Sequence, residues 1–331
     1  MEEIDRVLAV DIGGTNLRSG VIDSNGGLHG RLVRTRVPFR EDGSADLERI
    51  IDLIEARAEA WDEETGKQLP LGVSLCGNVD PETGEAVLVA NLHWQNVDFG
   101  TRVKERLQVP VYAATDVRQA ALAEAVWGVG QGVENFLWLT IGTGYGGYLF
   151  LNGRLYGGAH GFAGNLGHTP LDEKDGYLCG CGHRGCVETF VAGPAIARAG
   201  QIAVDKQLSP ALTKLADGDQ VTCQMVFEAA ESGDGPANRI LYRVIRLIAQ
   251  NLGGAVNLLD LEMIIIGGGV ANATPWFVQR IDERVRDFLM TVEARRDLRV
   301  VRESLPNSAL WGAAAHAFAA EGVLDGSVLE P

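Results

Sequence analysis

Val7-Leu8-Ala9-Val10-Asp11-Ile12-Gly13-Gly14-Thr15-Asn16-Leu17 is the stretch that decides the fold. Val7 to Val10 is a continuous apolar run, the pattern of a strand buried on both faces. Asp11 to Thr15 reads as a turn, and Leu17 to Ile22 as the returning strand. A return after so few residues is an antiparallel hairpin, because a parallel crossover takes a dozen residues or more. A P-loop or a dinucleotide-binding turn would lead into a helix instead. The commonest phosphate-binding folds are thereby excluded.

The same pattern recurs further along. Phe136 to Ile141 is a strand, Gly142-Thr143-Gly144-Tyr145-Gly146-Gly147 the turn, and Tyr148 to Leu151 the return. Two such units point to two related α/β halves. Between them, residues 46–61 carry a helical stripe (Leu47, Ile50, Ile51, Ile54, Ala58), and Leu71 to Leu75 reads as a buried strand. Val79 to Gly84 is turn chemistry. Val109 to Ala113 is then a strand, followed by a helix from Val117 to Val126 with Asp116 at its N-cap. Beyond residue 188 the chain is mostly helical, with one long apolar face from Ala237 to Leu259. Met263 to Ile266 is a buried strand ending in a third glycine turn, Gly267-Gly268-Gly269. Leu298 to Val301 and an alanine-rich helix from Ala309 to Ala320 close the pattern. Without a Pro/Gly/Ser-rich linker, the halves are expected to meet at a hinge near residues 116–120. The expected division is a small lobe over 1–118, a large lobe over 119–304, and a helix at 305–320 packing back on the small lobe.

Composition narrows the function classes. The 331 residues are 46% hydrophobic and 22% charged, as expected of globular domains. No apolar run approaches the roughly 18–20 residues of a membrane span. The acidic start Met-Glu-Glu-Ile-Asp-Arg resembles neither a secretory signal nor a transit peptide. The net charge of −15 opposes nucleic-acid binding, whose affinity comes largely from neutralising phosphates. A cytoplasmic protein acting on small molecules is expected, with no nucleic-acid or membrane partner.

The 42 glycines cluster where the chemistry is expected. One glycine turn after a strand is equally a plain tight turn. Three, two of them with an adjacent threonine (Thr15, Thr143), point to a nucleotide's phosphate tail held by backbone N–H groups. Asp11 either orients Mg²⁺ and its waters or hydrogen-bonds the turn. Cys179, Cys181 and Cys186 put three thiolates on one glycine-rich loop, and His168 upstream completes a closed Cys₃His set suited to structural zinc. His183 competes as a ligand, and the plainer reading is ordinary buried cysteines. Asp116 caps a helix, and the same carboxylate suits a base that takes a proton from a substrate hydroxyl. Arg118, two positions on, is expected on another face of that helix.

Together these residues resemble the ROK family (repressors, open reading frames, kinases) over nearly the whole chain. Asp11 to Thr15 and Gly142 to Gly147 are similar to its two phosphate motifs. Gly161 to His168, the Cys179–Cys186 loop and Glu188 resemble its signature and zinc segment, and Ile266 to Val270 its adenosine-side turn. The resemblance implies an α/β, actin-like ATPase (ribonuclease H-like) fold, two lobes around a central cleft. It implies ATP- and Mg²⁺-dependent phosphorylation of a hexose or N-acetylhexosamine at the 6-hydroxyl by a homodimer, with glucose the leading substrate. Asp116 would be the general base. Gly13, Gly14, Thr15, Gly142, Thr143, Gly144, Gly267 and Gly268 would meet the nucleotide. Gly77, Asn78, Asn91, Thr115, Asn165, His168 and Glu188 would line the sugar pocket, His168 also ligating zinc.

Three segments depart from the family pattern. Asn165 stands where Glu is usual before Gly-His, Thr115-Asp116-Val117-Arg118 replaces Asn-Asp-Ala-Asn, and Cys76-Gly77-Asn78 replaces Pro-Gly-Pro. A shifted sugar preference is expected, with N-acetylglucosamine, N-acetylmannosamine or allose as alternatives to glucose. The family's repressors carry a helix-turn-helix segment ahead of the first motif, for which residues 1–10 leave no room. An idle sugar-binding protein is the other competing reading.

Overall fold

The computed structural model describes residues 4–329 except 173 and 175. Its contacts divide the chain into two compact units. The first holds the described residues up to Gly132, Phe150–Gly161 and those from Glu303 on; the second holds Val133–Leu149 and Phe162–Arg302.

The first unit is built on β1 (Arg6–Ile12), which returns as β2 (Asn16–Asp23) and continues to β3 (Leu28–Arg36). After α1 (Leu47–Thr65) comes β4 (Leu71–Leu75), then a small antiparallel sheet of β5 (Asn78–Val79), β6 (Ala86–Val89) and β7 (Trp94–Val97). α2 (Phe99–Leu107), β8 (Val111–Thr115) and α3 (Asp116–Trp127) complete the run. The main sheet has the order β3-β2-β1-β4-β8, antiparallel at the opening hairpin and parallel from β1 to β8.

The alternation of β1 explains its unbroken apolar run. Leu8, Val10 and Ile12 pack with Ile50, Ile51 and Ile54 of α1, while Val7 and Ala9 face the other way. That second face meets Leu310, Ala313, Ala314 and Phe318 of the last helix, Ser308–Ala320. Its small residues permit close approach: a Cβ on Gly312 would lie 1.6 Å from the Gln119 carbonyl oxygen of α3. All of α3 lies in the first unit, so the boundary expected near 118 would cut a helix that this packing keeps whole.

In the second unit β9 (Phe136–Ile141) turns into β10 (Tyr145–Leu151), whose last two residues, like the following β11 (Arg154–Tyr156), are grouped with the first unit. The glycine turn is shorter than expected, because Tyr145 already belongs to the returning strand. Helices α4 (Glu188–Val191), α5 (Gly193–Asp205), α6 (Pro210–Ala216), α7 (Cys223–Glu231) and α8 (Gly235–Leu259) precede β12 (Met263–Gly267). α9 (Pro275–Val285), α10 (Val292–Asp297) and β13 (Arg299–Arg302) follow, and the chain's last long helix, Ser308–Ala320, is α11. Asp234 caps α8 by accepting from the Ala237 N–H at 2.9 Å, and the stripe Leu241, Val244, Ile248, Leu252, Val256 is buried.

This sheet has the order β11-β10-β9-β12-β13, with β9, β12 and β13 parallel. Counted within each half, both sheets run third, second, first, fourth, fifth. The recurrence read from the two hairpins is therefore a recurrence of whole-sheet topology.

Candidate functional site

In the first unit, Asp11 lies near the end of β1 with Arg18 directly across on β2 and Ser74 across on β4. Arg18 Nη1 donates to Asp11 Oδ2 at 2.8 Å and the Ser74 hydroxyl to Oδ1 at 3.0 Å. Burial nevertheless dominates and raises the Asp11 pKa above the usual carboxylate value. The Asp11–Arg18 pair was legible in principle, since a tight hairpin fixes which residues oppose each other. The Ser74 partner came from a distant strand and carried no local signal.

Asp116 is the first residue of α3, and Thr115 occupies the N-cap place expected for it. The shift arises because the Asp116 backbone is already helical; its half-buried carboxylate still serves the helix end. Oδ1 accepts from the Val117 N–H at 2.9 Å and the Thr115 hydroxyl at 3.2 Å. Desolvation and the negative charge of Asp11 push its pKa up to about 6. Arg118 is buried, and its charge, with burial, holds His316 well below the ordinary histidine value. Around the two carboxylates, Cys76 hydrogen-bonds Asn91, and desolvation with the two negative charges pushes its thiol up to about 12. A Cβ on Gly14 would meet the Asn91 Cβ at 2.8 Å, so Asn91 packs on the first glycine turn. Gly77 and Asn78 follow Cys76, Asn78 opening β5, while Thr15 is exposed beyond Gly13 and Gly14.

In the second unit, a cavity of about 1030 Å³ opens beside the other two glycine turns. Gly142, Thr143, Gly269 and Val270 line it on one side, and the α5 N-terminus adds Gly193 and Pro194. A helix N-terminus and Gly-rich backbone suit an anion. No lysine or arginine is among the lining residues; Phe227, Val270 and Ala273 offer apolar wall instead. Gly268 supports the turn from behind: its φ is +93°, and a Cβ there would sit 2.6 Å from the Ile141 carbonyl oxygen. Gly267 ends β12. Gly144 does not line the cavity and instead packs against Glu188. The wall supplied by α7, with Cys223, Phe227, Glu228 and Glu231, was not foreseen. Its only sequence trace was an amphipathic stretch after Thr222.

The cysteine loop closes on itself. One ligand atom each from His168, Cys179, Cys181 and Cys186 lie within 4.8 Å of one another. Cys181 Sγ and Cys186 Sγ are 3.6 Å apart, and Cys179 Sγ is 3.5 Å from His168 Nδ1. Tetrahedral zinc with bonds of roughly 2.0–2.3 Å spaces its ligands by about 3.5–3.7 Å, so this donor set fits zinc. His183 Nδ1 lies 3.6 Å from Cys181 Sγ but falls outside the cluster of four. Asn165 is exposed near His168 and donates to the Phe162 carbonyl at 3.0 Å. Among the described residues no helix is long and apolar enough to cross a membrane.

A sequence model described as the ROK family matches residues 7–319. A glucokinase of Thermotoga maritima is 31% identical over 288 residues, covering 86% of this chain and 88% of that one. A xylose repressor of Caldicellulosiruptor bescii is 28% identical over 243 residues, covering 73% of this chain and 61% of the repressor. Among solved structures, a ROK family glucokinase from Streptomyces griseus, in complex with glucose and AMPPNP, superposes with a TM-score of 0.77 at 30% identity. That alignment covers 93% of this chain and 98% of the Streptomyces griseus protein.

Proposed function

The chain belongs to the ROK family and has its mixed α/β, actin-like ATPase fold, and from that premise we propose that it is an ATP-dependent sugar kinase. The substrate is a hexose or N-acetylhexosamine, glucose first among them, phosphorylated at the 6-hydroxyl. The observation that carries this reading is Asp116, a half-buried carboxylate whose pKa is pushed up to about 6. A base poised near neutral pH accepts a proton without being permanently protonated. In the reaction, the sugar oxygen attacks the γ-phosphorus, the bond to the leaving ADP oxygen breaks, and Asp116 takes the hydroxyl proton.

ATP enters with its Mg²⁺. Both Asp11 oxygens already accept hydrogen bonds, so Asp11 meets a magnesium-bound water only through its remaining lone pairs. Gly142, Thr143, Gly267 and Gly268 are proposed to meet the nucleotide, as are Gly13, Gly14 and Thr15. The sugar is read by Gly77, Asn78, Asn91 and Thr115, and by Asn165, His168 and Glu188. Zinc, when bound by His168, Cys179, Cys181 and Cys186, supplies a closed cross-link with no open position for substrate. The working form is proposed to be a cytoplasmic homodimer.

The xylose repressor among the relatives keeps a second reading in view, a sugar-responsive regulator or idle sugar binder. The retained Asp116 beside Asp11 favours the enzyme. A coupled ADP-release assay across hexoses and N-acetylhexosamines separates the two. One sugar should turn over, and Asp116→Asn should lower kcat about 10²–10⁴-fold. Sugar binding without turnover in the wild type would instead establish the binder.

A further inference from the structure

Tyr145 is the first residue of β10, immediately after the Gly142–Gly144 turn, and it is held from three sides. Its N–H donates to Glu188 Oε2 at 2.9 Å. Its carbonyl oxygen is pressed by Gly167, where a Cβ would lie only 1.8 Å away. Its phenol donates to Asn251 Oδ1 at 3.0 Å, and Asn251 Nδ2 in turn donates to the Thr169 hydroxyl at 2.9 Å. Gly167 and Thr169 flank His168, and Glu188 lies two residues after Cys186. The grip on Tyr145 therefore comes from residues adjoining the metal cluster.

Glu188 sits where the two features meet. Its other oxygen, Oε1, faces Cys179 Sγ at 3.7 Å, and a Cβ on Gly144 would touch Oε2 at 2.9 Å. Tyr145 is 2% exposed, so its N–H depends on a protein acceptor in place of water. The turn ahead of it leads to the cavity through Gly142 and Thr143, and the Gly142 carbonyl accepts from the Gly193 N–H at 2.8 Å.

We propose that Glu188 is a positioning residue for the nucleotide: by holding the Tyr145 N–H it ties the Gly142–Gly144 turn to the segment braced by the metal cluster. This rests on the kinase reading and adds to it, since there Glu188 is only a sugar contact. A turn whose backbone donors are prearranged loses less freedom on binding phosphate. The metal cluster then supports nucleotide affinity as well as the sugar pocket.

The test is AMPPNP affinity by calorimetry, without sugar, on the full chain and on Glu188→Gln, Glu188→Asp and Glu188→Ala, with metal content and Tm recorded for each. The glutamine variant keeps an acceptor at the same reach; the aspartate keeps the charge but is one methylene too short. Expected is near wild-type affinity for Glu188→Gln and about tenfold weaker binding for Glu188→Asp and Glu188→Ala, at unchanged metal content. Should Glu188→Ala lose its metal, the Gln and Asp pair carries the comparison. Equal affinities throughout, or loss in Gln with rescue in Asp, would overturn the proposal while leaving the kinase reading intact. A wild type that binds no nucleotide would overturn both.

Discussion

Burial raises the pKa of both Asp11 and Asp116, and Arg18 Nη1 donates to Asp11 Oδ2 at 2.8 Å. Desolvation raises the Asp116 pKa, and the negative charge of Asp11 raises it further. Under the kinase reading Asp116, whose pKa is pushed up to about 6, is the group proposed to exchange a proton, and Asp11 is the carboxylate anchored beside it by Arg18 and Ser74. The base must be ionised to work, so kcat/KM should fall tenfold per pH unit below about 6 and level off above it. The same raised pKa has a stability consequence of opposite sign. A carboxylate harder to ionise in the folded state than in the unfolded one costs stability above its folded pKa, and the cost fades as pH falls below it. Asp116→Asn, though expected to be far slower, should therefore be more stable than wild type at pH 8, by on the order of 1 kcal/mol after allowance for partial solvation. The difference should shrink towards pH 4. Paired urea titrations at the two pH values measure it, and an Asn variant less stable at pH 8 would contradict the assignment.

Elements were legible where one physical signal dominated. The buried strands β1, β4, β9 and β12 announced themselves as apolar runs, and α8 as a long stripe capped by Asp234. β3 was missed because Leu28–Arg36 is largely polar and only partly buried, as suits a sheet edge. α2 was missed because it is short, with few apolar positions to mark a stripe, and is held by the buried Phe99 and Val103. The metal loop was legible as chemistry but not as structure. Among the described residues its segment shows isolated bridges, Pro170 with Cys186 and Leu178 with Arg184, and single backbone bonds such as Cys179 N–H to the His183 carbonyl. A zinc ion held by its four candidate ligands would order such a loop. Removing metal with a strong chelator should release one zinc per chain and lower Tm by about 5 °C or more. Quantifying released metal alongside a melting curve checks this, and an unchanged Tm after complete release would show the loop to be self-supporting.

At the scale of the molecule, two sheets of one topology each present glycine turns at the ends of their central strands. The first unit supplies the carboxylates and the second the cavity and the metal cluster. The features of each unit differ in how far the sequence disclosed them. Backbone requirements leave glycines and cysteines at fixed spacing, so the turns and the loop could be read directly. The side chains proposed to read the sugar would act through shape, and Asn165, Thr115 and Asn78 state only that the sequence departs from the family pattern there. The wall of α7 and the grip of Glu188 on Tyr145 depend on residues brought together by the fold, which linear spacing does not encode.

The most direct test of the central claim is the product itself, followed by phosphorus NMR in a mixture of zinc-replete protein, Mg-ATP and glucose, then each alternative sugar. The account predicts that the γ-phosphate signal is replaced by a phosphomonoester split by two protons, as attachment to a 6-CH₂ requires, with ADP appearing in equal amount. Inorganic phosphate in its place, or ATP left intact with every sugar, would contradict it.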